Sequence, residues 1–153
     1  AVQLFDSWGG SLSPAQYEPW VIPPNAAIVA GLRARCPQVK IIGFPKGAGG
    51  KLAAYARETG VDVIGLDETV DPAWANRELP AGLPVQGNLD PLALIAGGAE
   101  LEAAARRVLD ALCDRPHMSN LRNGIQQDTP IAHGEQLIGV VREHRAEGVR
   151  GIA

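Results

Sequence analysis

The sequence is short of features that would each point to a particular class of protein. It has 14 Lys and Arg against 17 Asp and Glu, a formal net charge of −3. It therefore lacks the basic surplus with which nucleic-acid-binding proteins neutralise phosphates. Its two cysteines, Cys36 and Cys113, have no C-x-x-C spacing, which argues against a disulfide framework and fits a reducing, cytosolic compartment. Because both cysteines fall in helical patterns, we expect buried thiols.

Long apolar runs are also scarce. The longest uncharged stretch worth testing, Pro19 to Leu32, is interrupted by Pro23 and Pro24, so it is too short and too broken to span a bilayer. The chain does not begin with Met, and no basic segment followed by an apolar one indicates a signal peptide. Hydrophobic residues still make up 46% of the 153 residues, which is enough for the core of one globular domain.

Short apolar runs typical of strands alternate with helical patterns along the chain. Strands are predicted at Val2–Ser7, Val39–Phe44, Val61–Asp67, Pro84–Leu89 and His117–Arg122. Helices are predicted at Pro14–Cys36, with a break at the double proline, and at Gly50–Thr59, Pro72–Glu78, Glu100–Cys113 and Ile131–Ala146. This alternation, with nearly continuous apolar strands, predicts a parallel sheet covered by helices.

Two parallel architectures fit that pattern, a doubly wound open sheet and a (β/α)₈ barrel. In the first predicted strand Leu4 faces one side, whereas Gln3, Phe5 and Ser7 face the other. Apolar outer positions with polar inner tips favour the barrel, since functional groups gather at the carboxyl ends of its strands. A complete barrel takes about 250 residues. We therefore expect residues 1–153 to form the C-terminal part of a TIM-type α/β barrel, with about five βα units.

A glycine-rich loop, Gly43 to Gly50, follows the second predicted strand. Its free backbone N–H groups, together with Lys46 and Lys51, could hold an anion at the start of a helix. The loop lacks the spacing of a phosphate-binding motif, so a tight βα turn is the favoured interpretation. Together with Arg122, the two lysines would make the mouth of the barrel attractive to anions.

Polar residues also stand at the ends of the third and fourth predicted strands. Asp67 is either a catalytic acid or a helix cap, and the sequence does not separate the two. Gln86 and Asn88 face inward as a structural network, the favoured interpretation, or as substrate contacts. Asp90 precedes a proline and is most simply a helix N-cap.

The sequence shows neither a metal site nor a serine triad. His133 and His144 are eleven residues apart on one predicted helix, and His117 lies in a different segment. None of the three has a ligand-spaced cysteine or carboxylate pair. Ser7 lacks the G-x-S-x-G setting of an activated nucleophile.

Five strand tips carry a recognisable series of residues, in order and at fitting spacing. They are Leu4-Phe5-Asp6-Ser7-Trp8, Ile42 to Gly49, Val63 to Asp67, Val85-Gln86-Gly87-Asn88-Leu89-Asp90-Pro91, and Asn120-Leu121 with Gly124-Ile125. Together they closely resemble the uroporphyrinogen decarboxylase family, and the resemblance covers the chain from end to end. The tips match strands four to eight of that family's barrel, and its first three strands have no counterpart here.

The resemblance implies an enzyme of haem and porphyrin biosynthesis. Members remove the four acetate carboxyl groups of uroporphyrinogen III to give coproporphyrinogen III, and they are cytosolic homodimers. They use no metal and no organic cofactor, because the protonated pyrrole of the substrate accepts the electrons released with CO₂. The protein would therefore contribute positioning and electrostatic stabilisation.

The resemblance also implies which residues contact the substrate. Ser7 matches a substrate-contacting serine and Phe5 lines the cleft beside it. Asn123 stands where the family has a substrate-contacting histidine, and Arg122 replaces a glycine. Asn does not titrate near neutral pH, and Arg suits carboxylates but is bulky, so we expect an altered or impaired site. The full predicted substrate-binding set is Phe5, Ser7, Lys46, Gln86, Arg122 and Asn123.

The resemblance identifies no catalytic residue in this chain. The family's arginine pair, its pyrrole-binding aspartate and a tyrosine belong to the three strands without counterpart. We therefore expect the isolated chain to decarboxylate poorly and to present two unpaired sheet edges. Those strands would come from another segment, or the gene would begin upstream of residue 1. Two alternatives stay open: a non-catalytic half-barrel that folds by association, and a cobamide- or thiol-dependent methyltransferase, for whose zinc site Cys36 and Cys113 are badly placed.

Overall fold

Strands and helices alternate through the computed structural model, which describes residues 1–121 and 124–150, with side chains to residue 144. The strands are β1 (Val2–Asp6), β2 (Ile41–Pro45), β3 (Val63–Gly65), β4 (Val85–Gln86) and β5 (His117–Met118). The α-helices are α1 (Pro14–Arg35), α2 (Leu52–Glu58), α3 (Pro72–Glu78), α4 (Pro91–Ala96), α5 (Gly98–Ala111) and α6 (Ile131–Arg150). Short 3₁₀ turns precede α1 at Gly9–Ser11 and α2 at Gly49–Lys51.

All five strands form one parallel sheet in the order β1-β2-β3-β4-β5. A single bridge between Leu89 and Leu121 continues the β4–β5 pairing beyond the short strands. Strands that neighbour in sequence also neighbour in the sheet, as in a barrel, whereas a doubly wound sheet reverses its order at a switch point. The expected α/β class and incomplete barrel are therefore confirmed.

One face of the sheet packs against the helices. Ile41, Ile64 and Val85 on this face are fully buried, and they join one apolar cluster with Tyr55 of α2. Burying each of these aliphatic side chains contributes roughly 1.5–3 kcal/mol. Gly43 lies between them in β2, where an added Cβ would come within 2.6 Å of the Tyr55 ring. A glycine is needed there because α2 lies so close to the strand.

Helix α1 corrects the prediction of a break at the double proline. The helix is continuous over 22 residues, although Pro19, Pro23 and Pro24 lie inside it. All three prolines are exposed, so the carbonyl groups that lack an N–H partner can bond to water instead. Tyr17 and Val29, on either side of the prolines, are buried against the core, and this packing outweighs the local cost of the prolines. No helix of the described part is long and apolar enough to cross a membrane.

Helix α4 was not assigned from the sequence, although its start was recognised. Asp90 accepts a hydrogen bond from the Leu92 N–H at 2.8 Å, which confirms the N-cap prediction. The helix ends at Ala96, and the next residue, Gly97, has a φ of +68°. An added Cβ there would lie 2.3 Å from the His133 ring, so both the backbone conformation and the packing of α6 require glycine.

The prediction that the cysteines are buried is wrong. Cys36 and Cys113 are both exposed free thiols. Cys36 directly follows α1, and Cys113 comes just after the buried Leu112 beyond the last turn of α5. Both therefore lie past the apolar faces that their helices turn toward the core.

Candidate functional site

A row of side chains crosses the sheet on the face opposite the helices. Phe5 pairs in register with Phe44, and their rings meet edge to face at 5.8 Å. The Phe44 ring lies over Gly65, where an added Cβ would be 2.6 Å from it. Gly65 pairs with Gln86, and Gln86 with Met118. The row is apolar except for one half-buried amide, and its ends are open, with Phe5 64% and Met118 45% exposed.

The loop after β1 is held by the carboxylate of Asp6. One oxygen, Oδ1, accepts hydrogen bonds from the N–H groups of Trp8, at 3.2 Å, and Gly9, at 2.7 Å. This local turn leaves Ser7 and Trp8 exposed at the end of the strand. Ser7 therefore lies at the C-terminal edge of the sheet, just beyond the Phe5 end of the row.

Two tyrosines lie behind this loop on the helix-facing side. The Tyr55 hydroxyl donates to Asn25 Oδ1 at 3.0 Å, whereas the buried Tyr17 hydroxyl has no hydrogen-bond partner among the described residues. Burial raises the pKa of both phenols well above the ordinary value, and the Asp6 carboxylate raises them further. Both phenols therefore stay neutral at physiological pH.

The loops after β1 and β2 pack directly on each other. The Lys46 N–H donates to the Asp6 carbonyl at 2.9 Å. An added Cβ on Gly10 would lie only 2.3 Å from the Lys46 carbonyl oxygen and 2.5 Å from the Gly47 carbonyl carbon. The two loops therefore form one packed unit. The Lys46 side chain, half-buried, belongs to this unit.

Lys51 ties the same two loops together. Its Nζ donates to the carbonyl oxygens of Gly10, at 2.8 Å, and Leu12, at 2.7 Å, and lies 5.0 Å from the centre of the Tyr17 ring. Two of the three donors of the Lys51 ammonium group are therefore used within the protein, which disfavours the suggestion that Lys51 holds a bound anion. The side chain of Lys46, the other lysine proposed for anion binding, takes no part in these contacts.

Asp67 connects the loop after β2 to the end of β3. It is 3% exposed, and its Oδ2 accepts from the Gly47 N–H at 2.6 Å. Its Oδ1 accepts from the Thr69 N–H at 2.9 Å and also from the Thr69 hydroxyl. The helix cap, one of the two roles left open for Asp67, belongs instead to Asp71, which accepts from the Trp74 N–H at 2.7 Å.

Asn88 extends these connections to β4. Its side-chain Nδ2 donates to the carbonyl oxygens of Asp67, at 3.0 Å, and Val70, at 2.7 Å. The residue is 4% exposed. The structural network preferred for Asn88 from the sequence is therefore present, although Gln86, half-buried in the row, is not part of it.

The ends of β4 and β5 are joined differently. The Gly87 N–H donates to the Met118 carbonyl at 3.0 Å, and His117 Nε2 lies 2.6 Å from the Gly87 carbonyl oxygen. Burial lowers the pKa of His117 and the nearby His144 lowers it further, while the bond to Gly87 acts in the opposite direction. The imidazole is therefore mostly neutral, with its hydrogen on Nε2, because a carbonyl oxygen can only accept.

The other two histidines have structural contacts of their own. His133 Nδ1 lies 2.9 Å from the Leu94 carbonyl oxygen, and His144 Nδ1 lies 3.5 Å from Asp110 Oδ1. Within the described residues, no three His, Cys, Asp or Glu side chains are grouped closely enough to hold a metal ion.

The structure thus places four of the predicted substrate-binding residues at one edge and face of the sheet. Phe5 and Gln86 belong to the row, while Ser7 and Lys46 lie at the adjoining strand ends. Arg122 and Asn123 lie outside the described residues. Sequence reasoning did not find the links made by Lys51, Asp67 and Asn88, because each joins segments that lie 18 or more residues apart.

Comparisons with known proteins identify the family of the chain. A family model described as uroporphyrinogen decarboxylase matches residues 1–144. The chain is 69% identical to the uroporphyrinogen decarboxylase of Sphingopyxis alaskensis over 142 residues, which are 93% of this chain and 42% of that protein. It is 65% identical to the Rhizorhabdus wittichii protein of the same name over 142 residues, 93% of this chain and 41% of that one. The chain spans about two-fifths of the length of these relatives, and it belongs to the uroporphyrinogen decarboxylase family.

Proposed function

We propose that this chain supplies the C-terminal part of the active-site barrel of a uroporphyrinogen decarboxylase. The enzyme would remove the four acetate carboxyl groups of uroporphyrinogen III and release coproporphyrinogen III. The observation that carries the proposal is 69% identity, over 93% of the chain, to a relative of that name. The chain by itself would contribute substrate binding, and the catalytic groups would come from the part of the barrel that it does not contain.

The geometry of the open face supports this role. A porphyrinogen has an apolar tetrapyrrole ring bordered by carboxylates, and such a ligand needs an apolar surface with cations or hydrogen-bond donors at its edge. The row from Phe5 to Met118 offers the apolar surface. Ser7 and Lys46, at the strand ends, would offer a hydroxyl and an ammonium group to the carboxylates. Gln86, the only polar member of the row, would bond to a substrate N–H or carboxylate.

Residues Arg122 and Asn123 complete the proposed binding set. In this proposal Asn123 hydrogen-bonds a carboxylate or pyrrole where the family has a histidine, and Arg122 binds a carboxylate through its guanidinium group. Substrate affinity measured after Asn123→His and Arg122→Gly, in a complete barrel, tests the idea that this site is altered. Unchanged substrate affinity in both variants would contradict the idea that the site is altered.

A chimera provides the direct test of the proposed function. The matching 142-residue segment of the Sphingopyxis alaskensis protein is replaced by this chain, and the conversion of uroporphyrinogen III to coproporphyrinogen III is followed by chromatography. We expect decarboxylation by the chimera and none by the isolated chain. A chimera that folds but forms no product contradicts the proposed function. Full activity of the isolated chain contradicts its dependence on the remaining strands.

Two variants of that chimera probe the proposed contacts. Ser7→Ala and Lys46→Met should each raise KM, by roughly tenfold, because each removes a hydrogen bond or ion pair to a substrate carboxylate. Arg57→Met, an exposed cation near the end of α2, is the matched control and should leave KM unchanged. Equal effects of all three substitutions would mean that the contacts are misassigned.

The remaining expectations rest on the family. We propose that the complete enzyme is a cytosolic homodimer, which light scattering on the chimera can check. The non-catalytic half-barrel is the second candidate, favoured by the exposure of Phe5 and Met118 in the chain alone. An inactive chimera that still assembles would favour this candidate. The methyltransferase alternative gains no support from the exposed positions of Cys36 and Cys113.

A further inference from the structure

Asp67 is a buried carboxylate to which the proposed reaction gives no direct role. It is 3% exposed, so a substrate on the open face does not reach it. Its two oxygens nevertheless accept three hydrogen bonds, from the Gly47 N–H and from the N–H and hydroxyl of Thr69. A buried carboxylate is costly unless it is well bonded. These bonds therefore fix the relative positions of the two segments that they join.

The segment held by Oδ2 carries Lys46. Gly47 has a φ of +70°, a conformation suited to glycine, and its N–H points to Asp67 at 2.6 Å. The N–H of Lys46 itself donates to the Asp6 carbonyl at 2.9 Å. The backbone of Lys46 is thus anchored at both ends, once to β1 and once to the end of β3. Without the bond to Asp67, the anchor to β1 remains but the link to the end of β3 is lost.

The same anchor reaches Ser7 through packing. Gly10 approaches the Lys46–Gly47 backbone so closely that an added Cβ would lie 2.3 Å from the Lys46 carbonyl oxygen. A shift of Gly47 therefore displaces Gly10 and the loop after β1. Ser7 belongs to that loop, which the Asp6 carboxylate folds through its bond to the Gly9 N–H at 2.7 Å.

We infer that Asp67 is a positioning residue, which sets the Lys46 and Ser7 loops at the spacing that the substrate carboxylates require. The inference rests on the proposed function, because that function makes Lys46 and Ser7 substrate contacts. Asp67 touches no substrate and acts only through the Gly47 N–H. A displacement of about 1 Å in a group that orients a reactant is enough to lower the rate by a large factor.

The test compares Asp67→Asn with Asp71→Asn in the active chimera. The amide of Asp67→Asn has one acceptor oxygen, which keeps both Thr69 bonds when it takes the place of Oδ1. The NH₂ group then faces Gly47, so the bond from the Gly47 N–H is the one lost. Asp71→Asn is the matched control, since Asn caps a helix about as well as Asp and Asp71 bonds only to its own helix. We expect KM to rise roughly tenfold in Asp67→Asn, with a smaller change in kcat and none in Asp71→Asn.

A second pair of measurements separates positioning from general stability. In the Lys46→Met, Ser7→Ala double-variant background, Asp67→Asn should have little further effect on KM, because the groups it positions are gone. Amide exchange of Gly47 in the isolated chain should be roughly tenfold faster in Asp67→Asn and unchanged in Asp71→Asn. An undiminished effect of Asp67→Asn in the double-variant background, or unchanged exchange at Gly47, overturns the inference. If the parent chimera is inactive, the proposed function fails, whereas the Gly47 exchange still decides the role of Asp67 in holding the loop.

Discussion

The ends of β1, β2 and β3 are held together by charged side chains, whereas the ends of β4 and β5 are held by backbone groups and a neutral imidazole. In the first region Asp6, Lys51 and Asp67 each bond to backbone groups of the connecting loops. In the second, His117 and the Gly87 N–H make the links. Hydrogen bonds that involve a charge are about twice as strong as neutral ones. The first region should therefore be the more rigid, and the second the more sensitive to pH.

Forcing the first two loops apart should have the largest effect. Gly10→Ala places a Cβ against the Lys46 carbonyl oxygen at 2.3 Å, so the loops must separate. We expect the free energy of unfolding, from urea titration of the chain, to fall by about 3 kcal/mol. Gly31→Ala is the control, because no atom lies within 4 Å of its new Cβ, and it should stabilise α1 by up to about 1 kcal/mol. Equal effects would mean that the loops are not packed together.

Removal of the ammonium group that joins these loops should have the next largest effect. Lys51→Met keeps the length of the side chain but loses the bonds to the Gly10 and Leu12 carbonyls. The free energy of unfolding should fall by about 2 kcal/mol. Lys40→Met is the comparison, because Lys40 also takes part in an ion pair, with its Nζ 3.7 Å from Asp62 Oδ1, but its side chain is 73% exposed. Loss of this exposed ion pair should cost less than about 1 kcal/mol. A cost for Lys51→Met no greater than that of Lys40→Met would contradict the importance of charge in the first region.

The second region should respond to pH through His117. Its pKa is lowered in the folded chain by burial and by His144, so the unfolded chain binds the proton more readily. The contribution of His117 to the free energy of unfolding is therefore complete above the unfolded pKa of about 6.5. It is lost as the pH falls from there toward the lower folded pKa, at less than about 1.4 kcal/mol per pH unit. His117→Gln should remove this part of the pH dependence of unfolding, and His133→Gln is the control. An unchanged pH profile in His117→Gln would show that His117 does not link folding to pH.

The exposed thiols should have the smallest effect. Cys113→Ser and Cys36→Ser should each change the free energy of unfolding by less than about 0.5 kcal/mol, since both side chains are exposed. Leu112→Ala, at the fully buried neighbour of Cys113, should cost about 3 kcal/mol. A cost for Cys113→Ser that approaches that of Leu112→Ala would mean that the thiol is part of the core after all.

The sequence predicted the architecture well because the architecture depends on local patterns. The apolar runs of the strands, the apolar face of α5 and the N-cap at Asp90 can each be read from a few consecutive residues. The prediction failed at Pro23 and Pro24, where a local rule predicts a break but the buried Tyr17 and Val29 hold α1 together.

The site was predicted less completely, for a physical reason. The positions of Phe5, Ser7, Lys46 and Gln86 follow from the parity of the strands and from the family's motifs. The partners that hold them do not, because each depends on a contact between distant segments. Lys51 illustrates the limit: its sequence neighbourhood suggests an anion site, yet its ammonium group bonds to carbonyl oxygens 39 and 41 residues away.

The order of the strands also has a consequence for biosynthesis. Each strand pairs with the strand made immediately before it, from β1 to β5. Each of these pairings spans only one βα unit, and domains begin to fold from the N-terminus while the chain is still being made. Each new strand and its helix can therefore dock on the existing edge as they leave the ribosome, without waiting for any later part of this sheet.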